Sequence, residues 1–255
     1  MYVSKLNSLF ITFMTTLLFS SCSKDGGTIT ETTTTVPAVY AKIYGTTANI
    51  ASDGTYVIIK TNGSPDHKSV YYPVTNPLYE AYSGVTFGGG TFTQNPNVIA
   101  SQSYTFKIPL NPTEASVHSA TPLGPIGVAL NGVPLYNQYA GPNNQALTNE
   151  INSFDKYYGH PTGTYQYHYH VEPLYLTTVK STKSGLIGFL LDGFPVYGPE
   201  EENGSTISSI DLDAYHGHAH ATIDYPNGTY HYHFTEDAPY MNGNGYYGVP
   251  GTITQ

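Results

Sequence analysis

Short apolar runs separated by turn signals dominate the chain, and helical periodicity is scarce. Tyr56-Val57-Ile58-Ile59-Lys60 runs into Thr61-Asn62-Gly63, the pattern of a strand entering a turn. Ser103 to Leu110 alternates apolar and polar positions as a half-buried strand does, and Pro109 and Pro112 mark its exit. The best helical stretch is Asn144 to Phe154. Together these patterns predict a mostly β domain with few short helices.

At longer range the pattern repeats. Gly127-Val128-Ala129-Leu130-Asn131-Gly132-Val133-Pro134-Leu135-Tyr136 returns as Gly188-Phe189-Leu190-Leu191-Asp192-Gly193-Phe194-Pro195-Val196-Tyr197. Asp155 followed by Gly159-His160 returns as Asp213 followed by Gly217-His218, and Tyr167-His168-Tyr169-His170 returns as Tyr230-His231-Tyr232-His233. Chance would explain one such block between tyrosine-rich strands, but hardly three in the same order. The duplication spans about residues 126–175 and 187–240. Each half is expected to be one unit: a hairpin at Asn-Gly or Asp-Gly, a loop ending in Gly-His, and a strand ending Tyr-His-Tyr-His. Two such units packed about a pseudo-twofold axis are expected to bring their histidines together.

The N-terminal pattern is different. Lys5 precedes an apolar stretch from about Leu6 to Phe19, which closes on Phe19-Ser20-Ser21-Cys22. That is the layout of a secretory signal peptide over residues 1–21, too short to favour a membrane span. The closing residues resemble a relaxed lipobox, so Cys22 is the expected site of lipid attachment and membrane anchoring. Residues 22–37 read as a threonine-rich tether that cannot build a core. The charged patch after Cys22 resembles the surface-export signals of Bacteroidetes-type lipoproteins. The expected location is the bacterial cell envelope, as an outer-membrane lipoprotein facing the periplasm or the exterior. Residues 38–255 then form the β domain.

Composition narrows the chemistry. Cys22 is the only cysteine, so a metal in the β domain must be held by nitrogen and oxygen. The nine basic residues are all lysines and the net charge is −9, which argues against a nucleic-acid partner. Without arginine the usual bidentate clamp for phosphate or carboxylate is missing. Tyrosine reaches 25 residues, and flat rings of this kind suit glycan or protein surfaces.

Eight of the ten histidines lie in the repeated blocks: His160, His168, His170, His216, His218, His220, His231 and His233. Residues two apart in a strand share a face, so His168 with His170, and His231 with His233, can reach one ion, with the tyrosines on the other face. An extended His216-Gly217-His218-Ala219-His220 would place three imidazoles on one side. Such nitrogen-rich sets suit a transition metal such as copper, zinc or iron. Asp155 and Asp213 are candidate ligands, or acceptors that fix a histidine tautomer. Asp192 aligns with Asn131 and is assigned to the turn. A strand of tyrosine and histidine can equally be a hydrogen-bonded core without metal.

The Tyr-His-Tyr-His segments, with Leu191-Asp192-Gly193-Phe194-Pro195-Val196-Tyr197-Gly198-Pro199 and Asp211-Leu212-Asp213 ahead of Gly217-His218, resemble the YHYH-domain proteins, an exported bacterial family. The resemblance begins near Asn62-Gly63-Ser64-Pro65-Asp66-His67 and runs to about Gly248, which makes His67 a secondary ligand candidate. It implies little about activity. The cysteine that relatives often carry near the Gly-His blocks is replaced here by the neighbourhood of Lys156 and Ala214. Two readings follow. One is a metal-binding protein, with or without metal-assisted hydrolysis or redox chemistry. The other is a module for a small-molecule, glycan or protein ligand, with structural histidines.

Overall fold

A computed structural model describes Met1 and residues 35–255. The signal-like start and Cys22 lie outside the described residues. No helix among the described residues is long and apolar enough to cross a membrane.

Alternation builds the first sheet. In β2 (Tyr56–Thr61), Val57, Ile59 and Thr61 point inward, and in β3 (Tyr104–Pro109) Tyr104, Phe106 and Ile108 do so. The two strands pair antiparallel from Tyr56↔Pro109 to Thr61↔Tyr104. β1 (Ala51–Ser52) and β14 (Thr252–Thr254) extend the sheet on either side, in the order β1-β2-β3-β14. Its inward row joins the main core with Val128, Leu135, Phe189 and Val196.

The second sheet contains the duplication. β4 (Pro125–Ala129) and β5 (Pro134–Tyr136) form a hairpin, as do β10 (Leu186–Leu190) and β11 (Pro195–Tyr197). Every residue of these four strands is buried, which is why the sequence shows continuous apolar runs here instead of alternation. Outside the hairpins run β8 (Gly159–Pro161) with β9 (Tyr167–Tyr169), and β12 (Gly217–His220) with β13 (Thr229–His233). The order is β12-β13-β11-β10-β4-β5-β9-β8, which reads as two equal halves meeting at β4 and β10.

The register at that meeting is self-consistent. Gly127 faces Leu190, Val128 faces Phe189 and Ala129 faces Gly188, so each pair maps onto its counterpart when the halves are exchanged. Glycine opens both blocks for a steric reason. A Cβ on Gly188 would stand 2.2 Å from the Val128 carbonyl oxygen, and one on Gly127 would stand 2.5 Å from that of Phe189.

Two expectations are corrected by this arrangement. The pseudo-twofold relation is present, but it separates the histidines. The axis passes between the hairpins, so β8 and β9 lie at one edge of the sheet and β12 and β13 at the other. The helix over residues 144–154 is also absent. Asn143 and Asn144 take left-handed φ values of 68° and 52°, the short β6 (Tyr139–Ala140) and β7 (Gln145–Ala146) pair across them, and a single 3₁₀ turn follows at Glu150–Ser153. Asparagine tolerates this conformation and hydrogen-bonds locally, which favours a turn over a helix. The remaining helical pieces are short: 3₁₀ turns at Ala38–Lys42, Phe87–Gly89 and Ser209–Asp211, and a five-residue π turn at Leu176–Lys180.

Candidate metal centres

The four residues of each Tyr-His-Tyr-His strand divide their work by face. Tyr167 donates its hydroxyl to buried Asp155 at 3.0 Å, and Tyr230 donates to Asp213 at 2.9 Å. Tyr232 donates to Asp192 at 2.6 Å, while Tyr169 accepts from the Asn131 amide at 3.1 Å. The tyrosines thus tie each strand to its loop and its hairpin turn, and the histidines are left on the opposite face.

In the first half His160 of β8 lies opposite His168 of β9, and His170 follows two residues on. All three are buried. His168 Nε2 lies 3.0 Å from His160 Nε2 and 2.9 Å from His170 Nε2. The other ring nitrogens fix the tautomers. His168 Nδ1 reaches the Gln166 carbonyl at 3.1 Å, and His170 Nδ1 reaches that of Asn137 at 2.5 Å. Ser153 gives its hydroxyl proton to the Glu150 carbonyl at 2.8 Å, so it accepts from His160 Nδ1 at 2.7 Å. A carbonyl only accepts, so the protons sit on Nδ1 and three Nε2 lone pairs face one another.

Lone pairs so placed repel one another unless a cation stands between them. Protonation is a poor remedy, because burial pushes His160 and His168 well below the usual imidazole range and His170 down to about 4. Tetrahedral nitrogens about 2.05 Å from one ion lie about 3.3 Å apart, so the rings need open by only a few tenths of an ångström to hold one. A Glu150 carboxylate oxygen lies 3.9 Å from His170 Nε2 and, among the described residues, has no hydrogen-bond partner.

The second half repeats the design. His218 lies opposite His231, with His233 two residues further on. His231 Nδ1 reaches the Thr229 carbonyl at 3.1 Å, and His233 Nδ1 reaches that of Gly198 at 2.7 Å. Gly198 is the repeat counterpart of Asn137, so the same backbone position orients the last histidine in both halves. Their Nε2 atoms are buried and unpartnered among the described residues. Burial lowers His231 to about 3 and His233 to about 4. One oxygen of Glu201 stands 3.1 Å from His218 Nε2, 3.2 Å from His220 Nε2 and 3.7 Å from His233 Nε2. The two groups, His160-His168-His170 and Glu201-His218-His220-His231, each present converging ligand atoms and could hold a metal ion.

Four of the expected ligand candidates stand elsewhere. His216 has a left-handed φ of 73° and reaches Thr235 Oγ1 at 2.9 Å, so the His216-to-His220 segment does not align three rings. Its counterpart Tyr158 has a φ of 66°, which marks this as the bend of the Gly-His loop. Asp155 accepts from Tyr157 N–H at 2.9 Å, from Tyr167 and from Ser69, and touches no cluster histidine. Asp213 accepts from the N–H groups of Tyr215 at 2.9 Å and Gly217 at 3.1 Å. Both aspartates are loop anchors and do not fix a histidine tautomer. His67 spends both nitrogens, Nδ1 on the Lys68 carbonyl and Nε2 on Tyr169, and is structural. Glu150 and Glu201 were not expected. Glu201 sits in the short acidic run Glu200-Glu201-Glu202-Asn203, which has no histidine spacing to mark it, and Glu150 in the stretch that reads as helix.

The model of the YHYH protein family matches residues 105–210 and 201–245. No curated protein and no solved structure shows detectable similarity. The matched span holds both hairpins, both Gly-His loops and both histidine strands, and it covers more than half of the sequence: the chain belongs to the YHYH protein family.

Proposed function

We propose that this YHYH protein is an exported lipoprotein that binds transition-metal ions, one in each half of its duplicated sheet. One observation carries the metal reading. The Nδ1 atoms of His160, His168, His170, His231 and His233 are committed to fixed acceptors, while their Nε2 atoms either face one another or have no hydrogen-bond partner among the described residues. A purely structural histidine spends both nitrogens, as His67 does on the Lys68 carbonyl and the Tyr169 hydroxyl. Buried polar atoms left without partners are costly, and five such lone pairs in two groups are explained by two bound ions.

The donor set is nitrogen with one carboxylate oxygen, which fits copper, zinc or iron. An ion held by three histidines has room for a water or another ligand, which gives it hydrolytic or redox chemistry. At the first centre the Glu150 carboxylate stands where it can take a proton. Support for export and anchoring comes from the apolar start and its single Cys22.

The test is elemental analysis of the full chain, untagged and purified without chelator. Two equivalents of copper, zinc or iron are expected, with His168→Gln and His231→Gln each removing one. A protein that takes up none of these metals would return the histidines to a structural role.

A further inference from the structure

The equivalent histidines of the two halves have different surroundings. In the repeat, His218 falls on His160 and so His220 falls on Thr162. Tyr197 falls on Tyr136, and the bridge Glu200↔Thr206 falls close to the Tyr139↔Ala146 pair, so Glu201 falls on Ala140. The second group therefore carries an imidazole and a carboxylate at repeat positions that the first group fills with Thr162 and Ala140. In the first group only Glu150 approaches, from a separate 3₁₀ turn.

Space follows the same division. His160, His168 and His170 open onto a cleft of about 680 Å³, whereas His220 and Glu201 border a smaller hollow of about 350 Å³. The volume suits a small-molecule ligand. The cleft wall carries the carboxamides of Gln94, Asn95, Asn97, Asn149 and Asn152, and its one formally charged side chain is Glu150. Asn95 and Asn97 both donate to the Pro161 carbonyl at 3.2 Å, which holds that wall in place, and Asn149 and Asn152 are exposed at the cleft. Carboxamides both donate and accept, so they match hydroxyl groups. Away from the ion the wall offers no lysine or arginine to a polyanion, and Glu150 would repel one.

We propose that the first centre is the working one: its ion keeps a coordination position open to the cleft, where a neutral, hydroxyl-rich ligand of the saccharide class binds. The second centre is filled by its own side chains and takes no external ligand. This inference rests on the metal reading above.

The experiment uses the full chain loaded with Cu(II) and titrated with azide, read by the azide-to-copper absorption band. The band is expected in His231→Gln, which keeps the first centre, and not in His168→Gln, which keeps the second. Should either variant fail to fold, the intact protein serves, where azide should perturb half of the bound copper. Azide response from the second centre, or from neither, overturns the open position. Absence of bound copper would instead sink the metal reading itself. The ligand class is tested by calorimetry of the loaded protein with maltotriose, chitotriose and a trimer of galacturonate. Binding of a neutral trimer, weakened about tenfold in the Asn149→Ala, Asn152→Ala double variant, is expected. Binding of the anionic trimer alone, of none at millimolar concentration, or with equal affinity in the variant, overturns it.

Discussion

Asp155 and Asp192 show how one residue type serves the fold beside a histidine-bearing strand without joining its histidines. Asp155 is fully buried, and burial raises its pKa, but it is held by backbone N–H groups and by the hydroxyls of Ser69 and Tyr167. Asp155→Ala would leave those donors without an acceptor and should cost about 3 kcal/mol or more in denaturant unfolding. The folded fraction should still bind its first ion. A variant of wild-type stability that had lost one metal equivalent would make Asp155 a ligand after all. Asp192 is also fully buried, and burial raises it from 3.8 to about 6 despite the bonds from Tyr232 and Gly248. The folded state therefore holds this proton more tightly than the unfolded chain. Its contribution to stability is complete below about pH 4 and is lost as pH rises through about 6, a total of about 3 kcal/mol. The difference in unfolding free energy between wild type and Asp192→Asn should fall by about that amount between pH 4 and pH 7. A pH-independent difference would contradict the shift.

At the scale of elements, the central pair β4–β10 determines whether the two halves can join. Gly188→Ala would press a methyl group against the Val128 carbonyl at 2.2 Å, and only separation of the two strands could relieve it. A loss of about 3 kcal/mol or more is expected in thermal or urea unfolding. Gly163→Ala, at an exposed turn with nothing within 4 Å, should change stability by no more than about 0.5 kcal/mol. Equal effects at the two sites would show that the close approach is not what holds glycine there. The alternation in β2 and β3 was legible because one face of that sheet is less buried, which leaves a period of two in the sequence. β4 and β10 carry no such period, and only their repetition identified them. Asn144 to Phe154 misled for the opposite reason: apolar spacing resembled a helix, but Asn143 and Asn144 had already turned the chain.

Across the whole molecule, a metal bound as proposed would be linked to folding, because a site assembled from β8, β9 and the 3₁₀ turn exists only when those elements are in place. Each ion present at a hundredfold excess over its Kd would add about 2.7 kcal/mol, which for a domain of this size is about 5–10 °C in Tm, so complete chelation of both should lower Tm by about 10–20 °C. Readdition of the metal should restore it, as followed by circular dichroism. An unchanged Tm would separate the histidines from metal-linked stability. By itself the sequence determined the mostly β character, the duplication, the family and the paired histidines of each Tyr-His-Tyr-His strand. These follow from local pattern, since a strand fixes which neighbours share a face. Only the tertiary structure decided that the two histidine groups lie at opposite edges, that Asp155, Asp213 and His216 stand outside them, and that Glu150 and Glu201 approach them. Those outcomes depend on where the symmetry axis falls and on which loop closes over each edge, and neither is encoded in spacing along a single strand.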